Sequence, residues 1–149
     1  MKNLLHPEPY EEILGRIENL TPDSQAHWGK MNVGQMLTHC QGPIKVPLSK
    51  KPLKKPPFMF RILFLFFKKQ LYNDKPWQKG LPTAREFRIT DERDFQQEKG
   101  KLLQLIHEFH SKGEKADWPR HPAGVEFSSE QWGKMQYKHL DHHLRQFGV

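Results

Sequence analysis

Four long segments of this chain place apolar residues at the three- and four-residue spacing of an amphipathic helix. In the first segment one stripe precedes the stop signal Thr21-Pro22 and consists of Tyr10, Ile13, Leu14, Ile17 and Leu20. A longer one is predicted over 91–112, and Gly113 after it is typical of a helix C-cap. No stretch shows convincing strand alternation. The periodicity therefore predicts an all-α helical bundle.

Capping signals mark the start of the other two long helices. Asn32 with Gln35, and Ser128 with Gln131, have the spacing of a capping box, in which the side chains and backbone N–H groups of both residues pair reciprocally. The helix after Asn32 is predicted to kink or end at Gly42-Pro43. The last helix is predicted to run nearly to residue 149.

The long connection between the second and third of these helices contains a short apolar segment. After a proline-rich loop, Phe58–Phe67 predicts an extra short helix that is apolar nearly all round. Ten residues are too few to span a bilayer, which needs about 20. We predict a buried core helix or a dimer-interface helix. The alternative is binding to a membrane surface, helped by the flanking residues Lys54, Lys55, Lys68 and Lys69.

The positive charge is concentrated in the same region. Residues 41–73 hold eight lysine or arginine residues and no acidic one, whereas the rest of the chain has 16 basic and 17 acidic residues. Such a segment can attract anionic ligands, lipid headgroups or nucleic acid. Nucleic acid is not expected as a partner, because the basic stretch is rich in proline and lacks a recognition helix.

Length and cysteine content bound the organisation of the chain. The 149 residues predict a single domain over 1–149. Cys40 is the only cysteine, which excludes an internal disulfide and fits a reducing compartment. The first residues lack the continuous apolar region of a signal peptide, so a cytoplasmic location is expected.

Two histidines in the last predicted helix form a candidate metal site. His139 and His143 are four residues apart, so a helix places them on one face. At about 100° per residue, His143 lies within the apolar face and His139 at its shoulder, while His142 lies just outside. Burying two imidazoles is costly unless their nitrogens find partners. A shared metal ion satisfies both, and hydrogen bonds to buried tyrosine, aspartate or backbone groups are the alternative.

A catalytic zinc site usually has three protein ligands and one open position. His39 is the best candidate for the third ligand, although it lies at the edge of its helix's apolar face and also fits a surface histidine. Cys40 points about 100° away and is read as a small buried hydrophobe. Leu140 stands where a zincin has its general base, so the open position is better suited to a thiolate than to hydrolysis.

Segments 28–40 and 121–147 resemble the DinB-like (YfiT-like) superfamily of inferred metalloenzymes, and within it a small family of unknown function. The resemblance covers both ends of the chain and the order of its helices. It implies a four-helix up-down-down-up bundle with one divalent metal ion, zinc or nickel, bound by His39, His139 and His143. It also implies a homodimer. Characterised relatives include S-transferases and isomerases that use a low-molecular-weight thiol such as bacillithiol or mycothiol.

Two functions follow from these observations. The first is a metal-dependent transferase that activates a small thiol for attack on an electrophile, with Lys50, Lys51, Lys54 or Lys55 attracting the thiol's carboxylates. The second is a non-catalytic binding module that uses the basic and aromatic middle segment on a membrane surface or a protein partner.

Overall fold

The structure is a computed structural model that describes residues 1–53 and 57–149, without the side chains of Phe60 and Leu63. The described residues form five α-helices and two short 3₁₀ turns, at Lys68–Leu71 and Arg85–Phe87. The helices are α1 (Pro7–Glu18), α2 (Val33–Lys45), α3 (Phe58–Phe67), α4 (Phe95–Lys112) and α5 (Ser129–Gln146). Within the described ranges the only β feature is an isolated bridge between His121 and Val125. The predicted all-α class is confirmed.

Both predicted capping boxes are present. The Gln35 backbone N–H donates to Asn32 Oδ1 at 2.9 Å, and the Asn32 N–H donates to Gln35 Oε1 at 3.0 Å. Ser128 and Gln131 make the same reciprocal pair at the start of α5. These caps satisfy backbone donors that the first turn leaves unpaired, and they fix where the two site-bearing helices begin.

One predicted helix start is wrong, and Gly42-Pro43 does not end its helix. Helix α2 continues through Pro43 to Lys45, because Pro43 lies in the last turn, where its missing N–H removes only one backbone bond. Helix α4 begins at Phe95 instead of near residue 91, because Asp94 is the residue that caps it. Its carboxylate accepts the Gln97 N–H at 2.7 Å.

The apolar faces of the long helices meet in one hydrophobic core. Helix α2 packs most extensively against α4, and α5 packs against both α1 and α2. Trp132 of α5 is fully buried. Residues from each long helix share this core, among them Ile13, Ile17, Met36, Leu37, Ile44, Leu102, Ile106, Phe109, Leu140 and Leu144. The packing holds α2 and α5 side by side, and these helices carry the candidate histidines.

Helix α3 is present as predicted, but it is not a core helix of this chain. Phe58, Met59 and Phe66 are 74%, 78% and 77% exposed. Described contacts of the helix with the body of the protein include Phe64, which stacks on His121, and Arg61, whose Nε donates to the Ala123 carbonyl at 3.1 Å. No helix in the described residues is long and apolar enough to cross a membrane.

His121 connects α3 to α5. Its ring stacks between Phe64 and Phe127, with ring centroids at 4.7 and 4.8 Å. The Ala123 backbone N–H donates to His121 Nδ1 at 3.2 Å, so this nitrogen carries a lone pair. Burial lowers the pKa of His121 to about 4. The ring is therefore neutral at pH 7 and acts as an aromatic spacer.

We expect Gly133→Ala to destabilise the fold by about 1–3 kcal/mol, because the added Cβ overlaps the Asn3 side chain that crosses α5 there. Gly100→Ala in α4 is the matched control. Its Cβ meets open space, so the alanine should stabilise the protein by about 0.5–1 kcal/mol. Denaturant unfolding of both variants measures the difference. Equal effects would contradict the close packing of the N-terminal segment on Gly133.

The neutral His121 predicts acid sensitivity. Its pKa is lower in the folded state than the ordinary value of 6.5, so the unfolded chain binds more protons between pH 6.5 and about 4. The free energy of unfolding should therefore fall as the pH drops through this window. His121→Asn retains an acceptor for the Ala123 N–H and does not titrate, so it should flatten that slope. Urea unfolding at several pH values, with a chelator present, measures the slope. An unchanged slope in the variant would contradict the assignment.

Candidate metal centre

The structure brings His39, His139 and His143 together between α2 and α5. All three side chains are buried, and one ring nitrogen from each lies within 4.8 Å of the other two. His39 therefore faces inward, which its helical position alone left undecided. Among the described residues, no cysteine, aspartate or glutamate joins this group.

The His39 ring is held by a backbone carbonyl. Its Nδ1 lies 2.8 Å from the Phe87 carbonyl oxygen, which can only accept a hydrogen bond. Nδ1 therefore carries the proton, and Nε2 of the neutral ring presents a lone pair. That Nε2 lies 3.2 Å from Nε2 of His139.

The His143 ring is held by Gln146. The Gln146 amide nitrogen donates to the Trp28 carbonyl at 2.6 Å, which fixes the orientation of the amide. Its Oε1 then lies 2.8 Å from His143 Nδ1 and accepts a hydrogen bond from the Nδ1–H. His143 is thus in the same tautomer as His39, with Nε2 free to coordinate. An outer hydrogen bond of this kind is typical of metal-binding histidines.

His139 differs from its two neighbours. Its Nδ1 is buried and has no hydrogen-bond partner, so only its Nε2 faces a polar atom.

Tetrahedral zinc, with Zn–N bonds near 2.1 Å, separates two ligand nitrogens by about 3.4 Å. The 3.2 Å between the His39 and His139 nitrogens is close to this value. Two lone pairs on the Nε2 atoms of His39 and His143, with the buried neutral ring of His139 beside them, fit a divalent transition metal.

Burial keeps these histidines uncharged. Loss of solvent is the main cause that lowers the pKa of each ring, to about 3 for His143 and well below the ordinary value for His139. The pKa of His39 is also lowered, chiefly by burial, despite the opposing effect of its bond to Phe87. Because metal ligands must be deprotonated, the site is ready for a cation at neutral pH.

Two residues near the site have the roles expected from the sequence. Cys40 is buried against Met36, with its sulfur 3.7 Å from the thioether, and burial raises the pKa of its thiol. A protonated thiol in this setting is neither a ligand nor a nucleophile. His142 is half-buried, and its ring meets Trp28 and Trp77 instead of joining the three ligands.

Two cavities reach the histidines from the outside. The aromatic cavity has a volume of about 380 Å³. Its lining includes the three histidines together with Phe64, Phe67, Trp77, Leu81 and Phe87. The basic cavity, also of about 380 Å³, reaches His39 and His143 and is lined in part by Lys30 and Arg88. The candidate centre is therefore accessible from an apolar side and from a positively charged side.

Trp77 forms part of the wall beside His139. Its ring centroid lies 5.8 Å from that of His139, and its Nε1 donates to the Gln70 carbonyl at 2.9 Å. Lys138, the residue before His139, donates to the Gln70 and Asn73 carbonyls and to Asn73 Oδ1. These bonds tie segment 70–77 to α5.

Comparison with known proteins places the chain in a family. Residues 2–148 match the family described as "Protein of unknown function (DUF1569)". The chain belongs to this family. No curated protein and no solved structure matches it.

In this DUF1569 chain two of the four lysines expected to hold a thiol's carboxylates, Lys50 and Lys51, do not line the cavities at the histidines. Lys50 pairs with Glu108, and Lys51 donates to the Glu86 carbonyl while its ammonium group lies over the Phe87 ring. Neither lines the aromatic or the basic cavity. Lys54 and Lys55 lie outside the described residues.

Sequence reasoning missed the two groups that orient the ligands. Gln146 lies three residues after His143 on α5, so its reach to that ring can be read from helical spacing. The Phe87 carbonyl cannot, because it belongs to a 3₁₀ turn 48 residues from His39. Its approach depends on Gly42, where any Cβ would collide with the Phe87 ring.

Gln146→Ala should weaken zinc binding by about 10–100-fold, because His143 loses the acceptor that fixes its tautomer and ring orientation. Competition with a chromogenic chelator measures the affinity. Gln104→Ala, at an exposed position of α4, serves as the control and should bind zinc like the unaltered protein. Equal affinity in both variants would contradict the orienting role of Gln146.

Proposed function

We propose that this protein is a metal-dependent transferase, in which His39, His139 and His143 hold one divalent ion and a low-molecular-weight thiol attacks an electrophile beside it. One observation carries the proposal. Hydrogen bonds to a carbonyl and to an oriented amide leave His39 and His143 with lone pairs on Nε2, in a buried group that two cavities reach. Zinc or nickel suits three neutral imidazoles.

The proposal includes membership of the DinB-like superfamily, on the residues that resemble it. The up-down-down-up helix order, the single-domain organisation, the homodimer and the cytoplasmic location stay predictions. What supports the proposal is the chemistry of the donor set and its access to small molecules. Three ligands leave a coordination position for a reactant, as in catalytic sites.

A bound divalent ion supplies Lewis-acid chemistry, which lowers the pKa of a nearby thiol and favours the thiolate. The chain's own residues position the reactants. Gln146 and the Phe87 carbonyl hold two of the imidazoles in their tautomers, while Trp77 and Phe64 give the aromatic cavity an apolar lining. This apolar cavity suits the electrophile.

The transfer itself is a substitution at the electrophile. The thiol proton leaves to solvent, and the sulfur lone pair forms a bond to the electrophilic carbon. The bond from that carbon to the leaving group breaks, and the leaving group departs with the electron pair. Atoms and charge balance with no oxidant or reductant.

The anionic part of the thiol is assigned to the basic cavity. Lys30 and Arg88 are the charged groups in its lining, and the cavity borders His39 and His143. They replace Lys50 and Lys51, whose charges are directed to Glu108 and to the Glu86 carbonyl. Arg88 is positioned by a hydrogen bond from Nε to the Thr83 carbonyl at 3.2 Å.

The test uses protein loaded with zinc or nickel, with the metal content measured. Chlorodinitrobenzene is the chromogenic electrophile, glutathione the anionic thiol and mercaptoethanol the neutral thiol. We expect the unaltered protein to hold stoichiometric metal and to react faster than background. His143→Ala should abolish this rate, because it removes one of the three proposed metal ligands. If the unaltered protein reacts no faster than His143→Ala with any of the thiols, that result would contradict a transferase. Absence of bound metal would contradict the metal site.

The basic cavity makes a separate prediction. Lys30→Gln and Arg88→Gln should each raise KM for glutathione about twofold to fivefold, because each removes one charge near the thiol's carboxylates. The kinetics with mercaptoethanol should not change, which makes the neutral thiol an internal control. An equal effect on both thiols would contradict carboxylate recognition at this cavity.

A further inference from the structure

The outer face of α3 is an exposed apolar surface. We call it the α3 patch, formed by Phe58, Met59, Ile62, Leu65, Phe66 and Phe67, each between 45% and 78% exposed. Scattered exposed hydrophobes are normal, but six large ones on a ten-residue helix form a contiguous patch of the kind that marks an interaction site.

The α3 patch is held in place from beneath. Phe64 stacks on His121 and lies 6.4 Å from the Phe127 ring, and Arg61 donates to the Ala123 carbonyl. The helix thus has one anchored side and one outward apolar side. An interfacial helix needs this arrangement, and ten residues suit a helix that lies in the membrane plane and does not span it.

The charge next to the α3 patch indicates which kind of partner the patch can bind. Lys68 and Lys69 follow α3 directly, and no acidic residue occurs in the sequence between α3 and Asn73. A symmetric dimer built on this patch would bring two such segments together, and like charges would repel. An anionic lipid surface has the opposite charge, and each lysine near it contributes attraction.

The aromatic cavity opens beside the same patch. Phe67 is half-exposed on α3 and also lines the cavity, and Leu81 is 48% exposed on its rim. The cavity therefore leads from the exposed apolar surface to His139 and His143.

We propose that the α3 patch docks this protein on an anionic lipid surface, with the rim of the aromatic cavity at the interface. Apolar side chains enter the boundary between headgroups and acyl chains, and lysines contact the phosphates. Docking in this form does not require a bound metal or a catalysed reaction.

Co-sedimentation of the full chain with vesicles tests the proposal. We expect binding to phosphatidylcholine vesicles that contain phosphatidylserine, weak binding to phosphatidylcholine alone, and loss of binding at high salt. Phe58→Ser with Phe66→Ser should lower the affinity at least about tenfold, because two exposed rings no longer leave water. Lys69→Gln should lower it about fivefold. Lys115→Gln, an exposed lysine after α4, is the matched control and should have no effect.

Leu81→Ser tests the position of the cavity rim and should weaken vesicle binding. An unchanged affinity would overturn that part. Circular dichroism and zinc content confirm that the variants keep their fold. Failure of the unaltered protein to bind anionic vesicles would overturn the proposal. So would sedimentation velocity showing a dimer that only the double serine variant dissociates, because the patch would then face a second copy.

Discussion

The burial of three neutral imidazoles against one another is the constraint on which the rest of the site depends. Nitrogens removed from water need partners, and at His39 and His143 the outer nitrogen has one. Those outer bonds decide which nitrogen keeps its lone pair. Because these lone pairs point into the group, the arrangement is suited to a metal cation. Burial lowers the pKa of all three imidazoles, so the rings stay neutral at pH 7.

The fold supplies this constraint through helix packing. Capping boxes fix the starts of α2 and α5, and the shared core fixes their rotation, so His39 faces His139 and His143. Gly42 then admits the Phe87 ring, which brings a backbone carbonyl to His39. Segments that are irregular in sequence, around residues 28 and 87, therefore provide groups on which the ligands' orientation depends.

The sequence was most informative where the periodicity was strong. Helical spacing predicted that His139 and His143 face inward and His142 outward, and the structure buries the first two and leaves His142 half-buried. Side-chain rules placed both capping boxes. Of the two alternatives predicted for α3, the core helix is wrong and the dimer-interface helix stays a prediction, because hydrophobicity reports a preference to leave water and does not identify what covers the helix. The place of Lys30 and Arg88 in the lining of the basic cavity could not be predicted, because a cavity is formed by residues from distant segments. The hydrogen bond of His39 to the Phe87 carbonyl could not be predicted either, because every residue has a backbone carbonyl and the sequence does not show which one approaches His39.

The anchor at Lys138 has a mechanical consequence. Lys138, which precedes His139, donates hydrogen bonds to the backbone carbonyls of Gln70 and Asn73. The segment that contains these two residues continues to Trp77, which lines the aromatic cavity. A small translation or rotation of α5 would therefore move His139 and Trp77 in the same direction. The spacing between Trp77 and His139 is thus coupled to α5 through these hydrogen bonds, whereas Phe67 and Leu81, which also line the cavity, belong to segments that Lys138 does not hold.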